Sequence, residues 1–149
     1  MSHDGSAREL RELAAEYEQK FARIPEEMAS RARGKGKWSR KEILGHLIDS
    51  AANNHQRFIR LQQEPELRFP GYEQEAWVRT NGYAECQWAE LVTLWAAYNR
   101  HLAHVMERIG AESLMHVWVN GTERHELGFL AADYVAHLRH HLEQIAGAD

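Results

Sequence analysis

The chain has a single cysteine, Cys86, so an internal disulfide bond is excluded and a reducing cytoplasm is the expected location. No apolar run approaches the roughly 20 residues that a membrane-spanning helix needs. The N-terminus has no apolar signal segment either. These absences predict a cytoplasmic protein that is not embedded in a membrane.

Long runs of Lys and Arg are also missing, and the net charge is −4 with the histidines neutral. Nucleic acid is therefore a poor candidate for a partner, and the short basic stretch 31–37 is interpreted as a solvated loop. The 149 residues are 44% hydrophobic and 27% charged, which is typical of a globular protein. They are enough for one domain, 1–149, with its own core.

Apolar residues at helical spacing predict a first helix over about 7–30, which Pro25 can kink or divide. A second helix has the clearest start signal in the chain. Ser39 and Glu42 form a capping box, in which each side chain bonds the other residue's backbone N–H. This helix should run to about Leu61, which places His46 in its second turn.

The segment 62–83 is rich in proline and glycine and is interpreted as a long crossover with one short helical piece near 73–78. A third helix is predicted over about 86–109 and a last one over about 128–146. Between them, Asn120-Gly121 flanked by β-forming residues predicts a hairpin. The predicted fold is therefore all-α, a four-helix bundle with the second and last helices adjacent.

Three histidines carry the clearest functional pattern. His137 and His141 are spaced i, i+4, which puts both imidazoles on one face of a helix. If His46 converges on them from the second helix, three neutral imidazoles can bind a divalent metal and leave a fourth position open, as in catalytic zinc sites. The alternative is that these are hydrogen-bonded structural residues, since a chain with ten histidines contains such pairs by chance.

The neighbours of the histidines favour the metal interpretation. His46 shares a polar stripe with Ser50, Asn53 and Arg57, and Tyr134 lies one turn before His137. We expect these polar residues to line a pocket, with Asn53 and Arg57 anchoring an anionic or amide-rich substrate and Tyr134 beside them.

Other residues have weaker claims. By the helical period, His140 points away from the pair formed by His137 and His141. Asp49 and Asp133 could each orient an imidazole, although a solvated carboxylate is the alternative for both. No convincing fourth protein ligand is found in the sequence, and the residues that take part directly in catalysis are not identified.

Three motifs together resemble the DinB/YfiT-like superfamily. They are Trp38-Ser39-x-x-Glu42-x-Leu44-x-His46-Leu47-x-Asp49, Pro70-Gly71-Tyr72 with Trp77-Val78, and Asp133-Tyr134-x-x-His137-x-x-His140-His141-Leu142-x-Gln144-Ile145. The resemblance implies an up-up-down-down bundle with a long crossover between its second and third helices. It also carries the metal ligands over onto His46, His137 and His141.

For activity, the resemblance implies a thiol-dependent S-transferase or isomerase that uses a low-molecular-weight thiol such as mycothiol or bacillithiol, or a metal-dependent hydrolase. It implies pairing into a homodimer as well. Zinc is the expected metal, with nickel and iron as alternatives, and the expected partner is a small-molecule substrate. Two further hypotheses remain open: a metal-binding bundle without turnover, and a metal-free bundle that acts through a partner, with Trp77 or Trp118 as surface contacts.

Overall fold

A computed structural model describes residues 3–147 of the chain. Its helices are α1 (His3–Ala22), α2 (Glu26–Ser30), α3 (Arg40–Gln63), α4 (Gln74–Asn81), α5 (Trp88–Glu107) and α6 (Leu127–Gly147). Its strands are β1 (Glu66–Arg68), β2 (Val117–Asn120) and β3 (Glu123–Glu126). Short 3-10 turns, Tyr83–Glu85 and Ala111–Met115, precede α5 and β2. None of the helices in the part described is long and apolar enough to cross a membrane.

Four long helices enclose one core. α1 and α3 lie diagonally opposite each other, and each packs against both α5 and α6. Large side chains such as Phe21, Phe58 and Trp95 are fully buried between the helices. The four-helix bundle, the contact between the second and last long helices, and the long crossover from α3 to α5 are confirmed.

The helix directions run up, down, down, up, which corrects the up-up-down-down order. Glu26, just after α1, accepts a hydrogen bond from the Trp88 backbone at the start of α5 and pairs with Lys41 at the start of α3. At the same end, the Arg40 side chain donates to the Ile145 carbonyl near the end of α6. The connection 23–39 stays at this end of the bundle, so α3 has to return in the direction opposite to α1.

The start of α3 agrees with the sequence pattern. The Glu42 backbone N–H donates to the Ser39 hydroxyl at 3.2 Å, and the Ser39 backbone N–H donates to the Glu42 carboxylate at 3.0 Å. This capping box satisfies two backbone donors at the helix start and fixes where α3 begins. Pro25 separates α1 from α2, which was one of its two expected effects.

A small sheet closes one end of the bundle. β2 and β3 form the predicted hairpin, in which Asn120 pairs with Glu123 and the two-residue turn is Gly121-Thr122. Gly121 has a φ of 63°, a conformation that favours glycine. β1 pairs in parallel with β2, with Leu67 opposite Trp118, which the sequence pattern did not predict. Trp118 is only 4% exposed, so its predicted role as a surface contact is wrong.

Candidate metal centre

The three predicted metal ligands lie together where α3 meets α6. The His46 and His141 rings meet edge-on with their centroids 5.1 Å apart. The His137 and His141 rings are stacked, with centroids 5.4 Å apart. The structure thus brings all three imidazoles to one place, with His46 buried, His141 half-buried and His137 exposed.

His46 is the least solvated of the three. Its side chain packs against the Trp38 ring, and its buried Nδ1 has no hydrogen-bond partner among the residues that the structure describes. Burial, reinforced by His141 and His137, lowers the pKa of His46 to about 4. The imidazole is therefore neutral at pH 7, and it presents a buried nitrogen whose hydrogen-bonding capacity is unused.

His141 is held by Gln144, which was not among the predicted site residues. Its Nδ1 lies 3.1 Å from the Gln144 side-chain oxygen. Because that oxygen only accepts hydrogen bonds, Nδ1 carries the proton and Nε2 keeps its lone pair. Burial lowers the pKa of His141, although the bond to Gln144 opposes this. The i, i+3 spacing of His141 and Gln144 was the feature of the sequence that could have predicted this contact.

The donor set suits a divalent metal, but the conformation is not a closed coordination sphere. Within 3–147, no three His, Cys, Asp or Glu side chains are arranged to hold a metal ion. The ring planes of His137 and His141 are only 13° apart, and an imidazole lone pair lies in the plane of its ring. Two stacked rings therefore do not aim at one point, and the exposed His137 is the ring with room to reorient.

A cleft of about 310 Å³ lies beside His137. Three of the residues expected there, Ser50, Arg57 and Tyr134, line it. Asn54 lines it in place of Asn53, which faces a separate groove that also contains Trp77. The crossover, the hairpin and the first turns of α6 supply the remaining walls.

Tyr134 lines the cleft with a hydroxyl that is already used inside the protein. The side chain is 4% exposed, and its hydroxyl donates to the Asn99 side-chain oxygen at 2.5 Å. Burial raises the pKa of Tyr134, so the hydroxyl stays protonated. Tyr134 therefore contributes its aromatic ring, rather than its hydroxyl, to the wall of the cleft.

Arg57 reaches into the cleft from α3. Its guanidinium carbon lies 4.4 Å from the centroid of the Trp118 ring, which is cation–π geometry. Its Nε is buried and has no hydrogen-bond partner among the described residues. Burial lowers the pKa of Arg57, yet guanidinium groups stay charged in proteins.

Asp49 is neither a solvated carboxylate nor a partner of His46 in the described contacts. It is 2% exposed and accepts hydrogen bonds from the Tyr83 hydroxyl at 2.6 Å and the Asn81 amide at 3.0 Å. Burial raises its pKa to about 6, and the bond from Tyr83 limits the rise. Asp49 therefore ties α3 to the crossover.

A second group of histidines lies away from this centre, between α3 and α5. The His55 Nδ1 lies 2.9 Å from the Tyr98 hydroxyl, and the His55 ring contacts that of His101. His140 on α6, by contrast, lies next to the centre: it is exposed, and its ring centroid is 5.4 Å from that of His141. None of these residues lines the cleft.

Comparison with known proteins agrees with this fold. YfiT from Bacillus subtilis, described as "a probable metal-dependent hydrolase with an unusual four-helix bundle topology", superposes with a TM-score of 0.87 at 18% identity, over 97% of this chain and 84% of that one. At this identity the likeness establishes the fold alone. No curated protein matches the chain. The family model described as the DinB superfamily matches residues 9–145, so the chain belongs to the DinB superfamily.

Proposed function

We propose that this protein is a divalent-metal-dependent enzyme acting on a small molecule, with His46, His137 and His141 as the metal ligands. The observation that carries the proposal is the buried Nδ1 of His46, which has no partner among the described residues and lies in a ring that adjoins His141. Buried polar atoms are nearly always satisfied. A metal ion would satisfy this one and would use the neighbouring imidazoles as well.

The three side chains would hold zinc, with nickel or iron as alternatives. A divalent ion held by three protein ligands supplies Lewis acidity, which makes a nucleophile from water or a thiol available near neutral pH. The protein has to orient the imidazole nitrogen lone pairs of the three histidines toward the ion. Gln144 keeps the proton of His141 on Nδ1, so that Nε2 can act as the ligand.

Two reaction types are consistent with the site: hydrolysis and transfer of a thiol. The description of YfiT as a probable metal-dependent hydrolase supports hydrolysis, whereas the sequence motifs support a low-molecular-weight thiol. Cys86 does not line the cleft, and its Sγ contacts the Gly82 carbonyl. A thiol that reacts in this cleft would therefore have to be a co-substrate.

The test begins with elemental analysis of the purified wild type and of His46→Ala. We expect about one equivalent of metal in the wild type and almost none in the variant. Chelated protein is then reloaded with zinc, nickel or iron, and assayed against ester and amide substrates and against small electrophiles with mycothiol or bacillithiol. Equal metal content in both proteins would contradict the site. Bound metal without turnover in any assay would identify a metal-binding protein that is not an enzyme.

A further inference from the structure

The guanidinium of Arg57 is partly withdrawn from water, and no carboxylate among the described residues bonds it directly. Its Nε is buried and has no hydrogen-bond partner within the described part of the chain. Tyr72 and Glu123 act on its charge through space rather than through a hydrogen bond. A buried charged donor with an unused hydrogen bond is costly to keep unless a ligand uses it.

The position of Arg57 links it to the proposed metal centre. Arg57 and His137 line the same cleft, together with the aromatic rings of Tyr72, Trp118 and Tyr134. The cleft volume of about 310 Å³ is at the lower end of the range for small-molecule sites. A ligand held at Arg57 would therefore lie in the cleft that His137 also lines, with aromatic rings around its apolar part.

The charges around the cleft favour a singly charged group. Besides Arg57, the lining contains the carboxylates of Glu123 and Asp133. A dianion such as a phosphate monoester would be repelled by both and neutralised by only one guanidinium. A carboxylate carries a single charge and matches the planar fork of Arg57 with two parallel hydrogen bonds.

We propose that Arg57 binds a carboxylate group of the substrate, so that the substrates are small carboxylic acids with an aromatic or apolar portion. This inference deepens the proposed function by naming its substrate class. It rests on that function only for the reaction at the metal ligands, because binding of a carboxylate at Arg57 can be measured without turnover.

Arg60 on the same helix provides a matched control. Its guanidinium also lies over an aromatic ring, with its carbon 5.3 Å from the Phe69 centroid. Unlike Arg57, it is exposed, its Nε donates to the Gln56 side chain at 2.8 Å, and it lines no part of the cleft. If Arg57 served only to make a cation–π contact, replacing Arg57 and replacing Arg60 should have the same effect on ligand binding.

The test is a titration of the full-length protein with benzoate, followed in ¹H–¹⁵N spectra through the Arg57 Nε–H and Trp118 indole signals. Benzamide serves as the uncharged isostere and phenyl phosphate as the dianion. The proteins are wild type, Arg57→Gln, Arg57→Lys, Arg60→Gln and His46→Ala. If Arg57→Gln fails to fold, Arg57→Lys, which keeps the charge but loses the fork, decides the question.

We expect benzoate to bind the wild type and benzamide not to bind. Loss of a charged hydrogen-bonded pair should weaken benzoate binding about 10- to 100-fold in Arg57→Gln, less in Arg57→Lys, and under twofold in Arg60→Gln. His46→Ala should still bind benzoate, whether or not it has lost a metal, which separates this inference from the proposed function. Benzoate binding that survives in both Arg57 variants, or is lost only in His46→Ala, would overturn the proposal. Tighter binding of phenyl phosphate, or no binding of benzoate to the wild type, would overturn it as well.

Discussion

The ring of His46 on α3 meets the ring of His141 on α6 edge-on, with 5.1 Å between the centroids. This contact joins the two helices within two turns of the point where the Arg40 side chain bonds the Ile145 carbonyl. The buried Nδ1 of His46 has no hydrogen-bond partner among the described residues. The arrangement is therefore better suited to binding than to stabilising the bundle.

Replacing His137 by Ala should lower the bound metal sharply, because one of three proposed ligands is removed. His140→Ala is the matched control, since His140 is also exposed on α6 but does not line the cleft. Metal content per chain, measured after dialysis against metal-free buffer, distinguishes the two. An equal loss in both variants would show that the wrong histidine of this helix has been assigned.

Gln144→Ala should weaken metal affinity by about 10- to 100-fold, the usual effect of losing a partner that orients a histidine ligand. The reason is the 3.1 Å contact that keeps the proton of His141 on Nδ1. Competition with a chromogenic chelator gives the dissociation constant. Glu143→Ala, at the exposed position before it, should behave as the wild type does, and a loss of affinity there too would point to a general weakening of α6.

Asp49→Asn should make the protein more stable at pH 7 and flatten its pH dependence. The folded-state pKa of Asp49, about 6, lies above the ordinary value of 3.8. Its contribution to stability is therefore fully present below pH 3.8 and is lost as the pH rises through 6. At pH 7 the Asn variant should be more stable by about 1–3 kcal/mol, measured by urea unfolding between pH 4 and 7.

Tyr83→Phe should make the protein less stable at pH 7, because it removes the hydroxyl that stabilises the Asp49 carboxylate. Its stability deficit against the wild type should grow as the pH rises from 4 to 7. A deficit that does not change with pH would mean that Asp49 is ionised to the same extent in both proteins.

Gly45→Ala should destabilise the fold by roughly 1–3 kcal/mol, as overpacking does, despite the better helix propensity of Ala. A Cβ at position 45 would lie 2.1 Å from the Tyr83 ring, which cannot move away without disturbing its bond to Asp49. At Gly128 the nearest atom to an added Cβ is an ordinary 3.5 Å away. Gly128→Ala should therefore be neutral or stabilising in the same denaturant experiment.

We also propose that the protein forms a homodimer, and exposed apolar residues such as Leu94 and Phe129 provide candidate contacts on α5 and α6. Sedimentation at micromolar concentration should give twice the 17.3 kDa mass of the chain. A monomer mass under those conditions would exclude the dimer.

The sequence predicted the long helices because each has a sustained apolar periodicity, and it located His46 because the capping box of Ser39 and Glu42 fixes the start of α3. It could not decide between Asn53 and Asn54 for the cleft. Adjacent positions on a helix differ by about 100°, and the rotation of α3 is set by packing against two other helices.

Contacts between residues far apart in the sequence were also not predicted, because local sequence patterns do not encode them. The partners of Asp49 come from residues 81 and 83, after the crossover has turned back onto α3. β1 is only three residues long, too short for a periodicity, and its partner strand lies about fifty residues later. The helix directions depend likewise on where the connection 23–39 leads, which no periodicity within the helices encodes.

The parallel pairing of β1 with β2 has a consequence for the order in which the chain assembles during synthesis. β1 leaves the ribosome about fifty residues before β2, so it has no strand to pair with until the hairpin emerges. The walls of the cleft, taken from the crossover, the hairpin and α6, can therefore close only when nearly the whole chain is available. A product that stalls before α6 would have no complete cleft, so ligand binding would report that α6 has been synthesised.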